Sequence, residues 1–114
     1  PPVAVPSRGR LRPVRWARLL HRDELRDGEL IPVEIDGTPV VVVRHAGEFF
    51  AVQNNCSHQD FPLSDGELDG YQLECIYHGA SFDVCTGRAM RLPAIRPVKT
   101  FPVEVRDGGV FVEV

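Results

Sequence analysis

"LIPVEIDGTPVVVVRHAGEFFAVQN", residues 30–54, is a run of short apolar stretches cut by Asp-Gly and Ala-Gly pairs. It reads as consecutive strands. "LIPVEI", the turn "DGT" and "PVVVVRH" form a hairpin in which Asp36-Gly37 supplies the positive φ angles that tight hairpin turns need. "EFFAVQN" follows Ala46-Gly47 as a third strand. At the far end, "TFPVEVRDGGVFVEV" repeats the pattern, with Val103, Val105, Val110 and Val112 flanking a turn at Asp107 to Gly109. Upstream, "WARLLHRDEL" runs from an apolar stretch into a charged one at 21–27, which suggests one short helical turn before Gly28. Helical periodicity is scarce, and the fold class is all-β, a small antiparallel barrel or sandwich. Trp16, Phe49, Phe50, Phe101 and Phe111 are expected in its core.

The chain has 114 residues, 43% of them apolar and 25% charged, which is the size and composition of one globular domain that buries its own core. Its longest apolar run, "VVVV" at 40–43, is far too short to cross a bilayer, and the opening "PPVAVPSRGRLRPVR" lacks the apolar stretch of a signal peptide. A cytoplasmic protein is expected, monomeric and without a membrane partner. Five of the 13 basic residues are arginines within residues 1–18, leaving a body with eight bases against 16 acids. That body, at −8, repels phosphate, and the short arginine arm has no interleaved aromatics, so no nucleic-acid partner is expected. An odd count of three cysteines argues against a disulfide framework and for thiolates that hold metal.

The thiolates come with histidines. "CSHQD" at 56–60 offers Cys56 and His58, and after sixteen residues counted from His58 "CIYHGASFD" at 75–83 offers Cys75 and His78. Sulfur and imidazole together suit zinc, copper or iron, so the arrangement must decide. Structural zinc sites usually pair like with like, whereas here each loop brings one ligand of each kind. Such mixed pairing suits a two-iron cluster, Cys56 and Cys75 on one iron and His58 and His78 on the other.

These residues, continued by "SFDVCTG" and "LPA", resemble a Rieske iron–sulfur domain over roughly Trp16 to Val114. The resemblance implies a single Rieske domain spanning 1–114, with one [2Fe–2S] cluster held by Cys56, His58, Cys75 and His78. It places a cluster-binding subdomain at about 55–95 on a basal subdomain of about 14–54 and 96–114, with Pro93 on a third loop over the cluster. The high-potential members carry a loop-tying disulfide where this chain has Phe61 and Tyr77, and hydroxyls toward sulfur where it has Ala80 and Phe82. Fewer donors to sulfur mean less stabilisation of the electron's charge, so a potential low in the Rieske range, about −150 mV, is expected. Terminal oxygenases usually have tryptophan where Ala80 stands.

What remains is similar to the small ferredoxins of bacterial aromatic-ring-hydroxylating dioxygenase systems. That likeness implies an electron carrier rather than an enzyme, taking electrons from a flavin-dependent ferredoxin reductase and giving them to a terminal Rieske oxygenase. The alternatives are the Rieske-like small subunit of an assimilatory nitrite reductase and a zinc-stabilised interaction module. His21 and His45 read as solvated, Cys85 as a small packing residue, and Gly79 as a requirement of the loop behind His78. "DGELDG" at 65–70 reads as a solvated loop whose Asp65, Glu67 and Asp69 could select a basic partner face.

Overall fold

The computed structural model describes residues 16–56, 62–76, 79–92 and 96–113. Eleven strands follow in chain order: β1 (Trp16–His21), β2 (Leu30–Ile35), β3 (Thr38–His45), β4 (Glu48–Gln53), β5 (Glu67–Asp69), β6 (Gln72–Glu74), β7 (Ser81–Asp83), β8 (Ala89–Arg91), β9 (Thr100–Phe101), β10 (Val103–Arg106) and β11 (Gly109–Glu113). They form three antiparallel sheets ordered β1-β11-β10, β2-β3-β4-β9 and β5-β6-β7-β8. Among the described residues no sheet closes into a barrel, and the architecture is a layered sandwich.

The hairpins expected from Asp-Gly and Ala-Gly are present. Ile35 pairs with Thr38, His45 with Glu48 and Arg106 with Gly109, so each turn has two central residues. Asp36, Ala46 and Asp107 have φ of 51°, 54° and 50°, and each is followed by a left-handed glycine. Both central residues thus sit at positive φ, which matches the turn to the twist of the strands it joins.

β3 explains how the layers stack. Val40, Val41, Val42 and Val43 are all fully buried because both faces of their sheet are covered. Val40 and Val42 face a core shared with Leu20, Ile35, Phe49, Phe101, Val110 and Val112, which joins this sheet to the terminal one. Val41 and Val43 face the opposite core, with Leu63, Leu73, Phe82 and Val84 from the β5–β8 side. Alternation along one strand therefore glues two layers to a third, each buried valine contributing about 1.5–3 kcal/mol.

The short helical turn expected before Gly28 is present as a 3₁₀ helix at Arg22–Glu24, and the apolar run before it, "WARLLH", is a strand on the edge of the terminal sheet. Other expectations need correction. Trp16 is 38% exposed at the start of β1 and is not a core residue, whereas Phe49 and Phe101 are buried and Phe50 and Phe111 half-buried. "DGELDG" is not a loop: Glu67–Asp69 is a strand paired with Gln72–Glu74, its two acids pointing outward. Polar outward positions hid a strand whose only inward residue is Leu68. Among the described residues no helix is long and apolar enough to cross a membrane.

Candidate metal centre

Cys56 comes shortly after β4, beyond Asn54 and Asn55, and Cys75 directly follows β6. Both are thiols, 2% and 0% exposed, and both belong to one buried apolar cluster with Leu63, Leu73, Ala80, Phe82, Val84 and Val98. The fold thus brings together, from two loops, the two cysteines that the sequence singles out. His58, His78, Phe61, Tyr77 and Pro93 lie outside the described residues.

The base of each loop is tied by hydrogen bonds. After β4, the Asn54 side-chain amide donates to Ser64 Oγ at 3.0 Å, while the Ser64 backbone N–H donates to Asn54 Oδ1 at 2.8 Å. This reciprocal pair fixes the two ends of the first loop. After β6, the Cys75 N–H donates to the Ala80 carbonyl at 2.7 Å and the Gly79 N–H to the Cys75 carbonyl at 3.0 Å. Gly79 has φ of +75°, a left-handed geometry that glycine adopts without strain, as expected for its place behind His78. A third tie joins Gln53 to Lys99: backbone N–H to carbonyl at 2.8 Å, and the Lys99 N–H to Gln53 Oε1 at 2.6 Å. That tie sets the return of the chain after the third loop. Nothing in the sequence pattern signals Asn54 or Ser64, because the pair is formed across ten residues by tertiary contact.

Gly66 is fixed by close packing rather than by dihedral. Its φ is −90°, but a Cβ there would collide with the Glu74 carbonyl. The 3₁₀ turn Leu63–Asp65 therefore lies directly against the end of β6, beside Cys75. Glu74 itself reaches outward, its Oε2 3.4 Å from Arg91 Nη1 on β8. A Cβ on Gly79 would come 3.9 Å from the same Oε2, so this carboxylate lies alongside the second loop.

The lining suits an iron–sulfur group. Two buried thiols in one apolar cluster are a soft donor pair shielded from water, and soft thiolates favour iron–sulfur clusters, zinc or copper(I). Ala80 and Phe82, fully buried in that cluster, offer no side-chain donor to sulfur.

The remaining residues singled out by sequence have plainer places. Cys85 is exposed, not packed inside: it sits on a turn whose Asp83 Oδ1 accepts from the Cys85 and Thr86 N–H groups at 2.7 and 3.1 Å. Desolvation by its neighbours, and then the negative charge of Asp83, raise its thiol pKa above the ordinary value. His21 caps the 3₁₀ helix, its Nδ1 accepting from the Asp23 N–H at 3.1 Å. His45 is half-buried rather than solvated, its ring 4.3 Å from that of Tyr71 in an edge-on contact.

A layered antiparallel sandwich with a buried cysteine pair, one from each of two tied loops, fits a protein that holds a soft metal or an iron–sulfur group. Residues 15–102 match the Rieske [2Fe-2S] domain, and the chain belongs to that family, whose cofactor is one Rieske-type [2Fe–2S] cluster. Among similar proteins, the 3-phenylpropionate/cinnamic acid dioxygenase ferredoxin subunit of Photorhabdus laumondii is 46% identical over 94 residues, covering 81% of this chain and 88% of that protein. The ferredoxin component of the naphthalene 1,2-dioxygenase system of Pseudomonas putida is 32% identical over 100 residues, covering 88% of this chain and 96% of its own. A chain in the solved complex of reduced oxygenase and oxidized ferredoxin in carbazole 1,9a-dioxygenase superposes with a TM-score of 0.82 at 36% identity, covering 85% of this chain and 91% of that one.

Proposed function

We propose that this protein is a low-potential one-electron carrier, receiving electrons from a flavin-dependent ferredoxin reductase and passing them to the terminal oxygenase of an aromatic-ring dioxygenase system. Cys56, His58, Cys75 and His78 are assigned as the ligands of its cluster, and the expected division is a cluster-binding subdomain at about 55–95 on a basal subdomain of about 14–54 and 96–114. In support of that division, the whole β5-β6-β7-β8 sheet falls within residues 67–91. The protein is placed in the cytoplasm, as a monomer.

The observation that carries this reading is the burial of Cys56 and Cys75 in one apolar cluster with Ala80 and Phe82. When bound, the cluster supplies a site that accepts and returns one electron. Around it the chain's residues exclude water and withhold hydroxyl donors, so the added negative charge is poorly solvated and the potential stays low. His58 and His78, neutral ligands, are assigned to the docking face. Glu67 and Asp69, exposed on the edge strand β5, and Asp65 before it offer negative charge to a basic partner surface.

The test is EPR of the dithionite-reduced protein with voltammetry, followed by reconstitution with reductase and oxygenase components. A low average g value, a midpoint near the bottom of the Rieske range and turnover of the oxygenase are expected. A midpoint well above zero at neutral pH, or zinc in place of two irons and two labile sulfides, overturns the assignment. Reversing the charges of Asp65, Glu67 and Asp69 together tests the acidic docking edge: electron-transfer rates and their salt dependence should change.

A further inference from the structure

We infer that Glu74 and Arg91, an ion pair at one end of the β5–β8 sheet, set the redox potential of the cluster with opposite signs. The inference rests on the ligand assignment above and names two determinants outside the ligands. Glu67, Glu74, Ser81 and Arg91 form the last row of the sheet, each paired with the next. Beyond that row the chain turns from Glu74 into Cys75. Glu74 directly precedes Cys75 in the chain, and its carboxylate lies alongside Gly79, the residue that follows His78 in the sequence. A fixed negative charge lies alongside the second ligand loop at Gly79. Arg91 Nη1, 3.4 Å away, is its counter-charge.

The chemistry follows from sign alone. Accepting one electron, with no proton, leaves the site with one more negative charge. A carboxylate beside it opposes that step and a guanidinium favours it. The pair contributes little to stability, since its side chains are 41% and 60% exposed and solvent screens the attraction. Its effect on an added charge in the neighbouring apolar cluster is less screened, because part of the path between them runs through protein.

The experiment uses the full chain with its cluster in place, poised by spectroelectrochemistry at low and at 1 M salt. Glu74→Gln should favour the reduced state roughly threefold, and Arg91→Gln should disfavour it roughly threefold, each about 30 mV at 59 mV per tenfold. The double variant should return close to the wild-type midpoint, and the single shifts should shrink in 1 M salt. Arg91→Lys, which keeps the charge, should leave the midpoint where it was. Shifts of the same sign in both single variants, no shift in either, or a shift in Arg91→Lys as large as in Arg91→Gln would overturn the inference. Should Glu74→Gln be unstable, the two Arg91 variants decide alone, since only loss of charge lowers the midpoint. Cys75→Ser separates the two levels of the argument: loss of the two-iron spectrum supports the ligand assignment whatever the midpoints do, and a retained, unaltered spectrum removes that assignment and this inference together.

Discussion

Asn54 and Ser64 hold each other by two hydrogen bonds, side-chain amide to hydroxyl at 3.0 Å and backbone N–H to amide oxygen at 2.8 Å. The pair spans the two ends of the first ligand loop, so the loop's entry and exit are fixed by the chain's own side chains. Asn54→Ala removes both bonds and leaves part-buried groups on Ser64 without their partner. Its cost should be about 1–3 kcal/mol in urea denaturation. Iron should leave the protein faster under a chelator, followed as bleaching of the visible spectrum. Equal bleaching rates for variant and wild type would show that the clasp is irrelevant to cluster retention.

Gly66 and Gly79 flank the same centre for different physical reasons, and alanine separates them. At Gly79 a Cβ has room among the described residues, the nearest atom being Glu74 Oε2 at 3.9 Å, so the penalty expected is that of the left-handed backbone, about 1–2 kcal/mol. At Gly66 the backbone is ordinary but the Cβ meets the Glu74 carbonyl, and the end of β6 must move. Gly66→Ala should therefore destabilise more than Gly79→Ala and release iron, both read from thermal melts with iron analysis. A milder Gly66→Ala would count against close approach as the reason for glycine there.

Ala80 and Phe82 offer the most direct handle on potential. Phe82→Tyr adds a hydroxyl inside the cluster that holds Cys56 and Cys75. A donor to thiolate sulfur stabilises the reduced state, so the midpoint should rise, by roughly tenfold in the reduction equilibrium or about 59 mV. Ala80→Ser should act in the same direction. Voltammetry decides, and a midpoint unmoved in both variants would sink the explanation of low potential by missing hydroxyls.

Much of this was readable along the chain, and the reason is locality. Asp36-Gly37, Ala46-Gly47 and Asp107-Gly108 announce their turns because two adjacent residues carry the positive φ values. Cys56 and Cys75 announce a metal because ligand chemistry restricts residue type. Strand β1 was not legible: its partner β11 lies at the other end of the chain, Trp16 opposite Glu113, and nothing in "WARLLH" says so. Strand β5 was hidden because Glu67 and Asp69 face water on an edge. The side of Cys85 was also hidden, since a small residue before a turn fits either inside or out. Ties such as Asn54 to Ser64 and Glu74 to Arg91 arise only once the sheets have paired.

Cys85 is exposed, yet its thiol should be sluggish. Desolvation by neighbouring atoms and the Asp83 carboxylate raise its pKa above the ordinary value, so less thiolate is present at neutral pH. Iodoacetamide should alkylate it more slowly than a small-molecule thiol at pH 7, with the rate climbing as the solution becomes alkaline. Asp83→Asn removes the negative charge and should shift that climb to lower pH. Cys85→Ser should leave the EPR spectrum and the midpoint unchanged. A changed spectrum would give Cys85 a role at the cluster that its exposed turn does not suggest.

Tyr71 tests how the cluster-side sheet is fastened to the central one. It sits in the turn between β5 and β6, and its ring meets His45 edge-on at 4.3 Å and Phe50 at 5.9 Å, both on the neighbouring sheet. The ring contributes from the rim of the interface, where it is 41% exposed, while Val41, Val43, Leu73 and Phe82 fill the centre. Tyr71→Ala should therefore cost about 0.5–1.5 kcal/mol, and Tyr71→Phe, which keeps the ring, close to nothing. Hydrogen exchange gives the sharper readout. Amides of residues 67–74 should lose protection in the alanine variant before those of residues 30–53, because the rim opens while the valine core stays closed. Uniform loss of protection across both sheets would mean that Tyr71 stabilises the whole fold rather than the join between its layers.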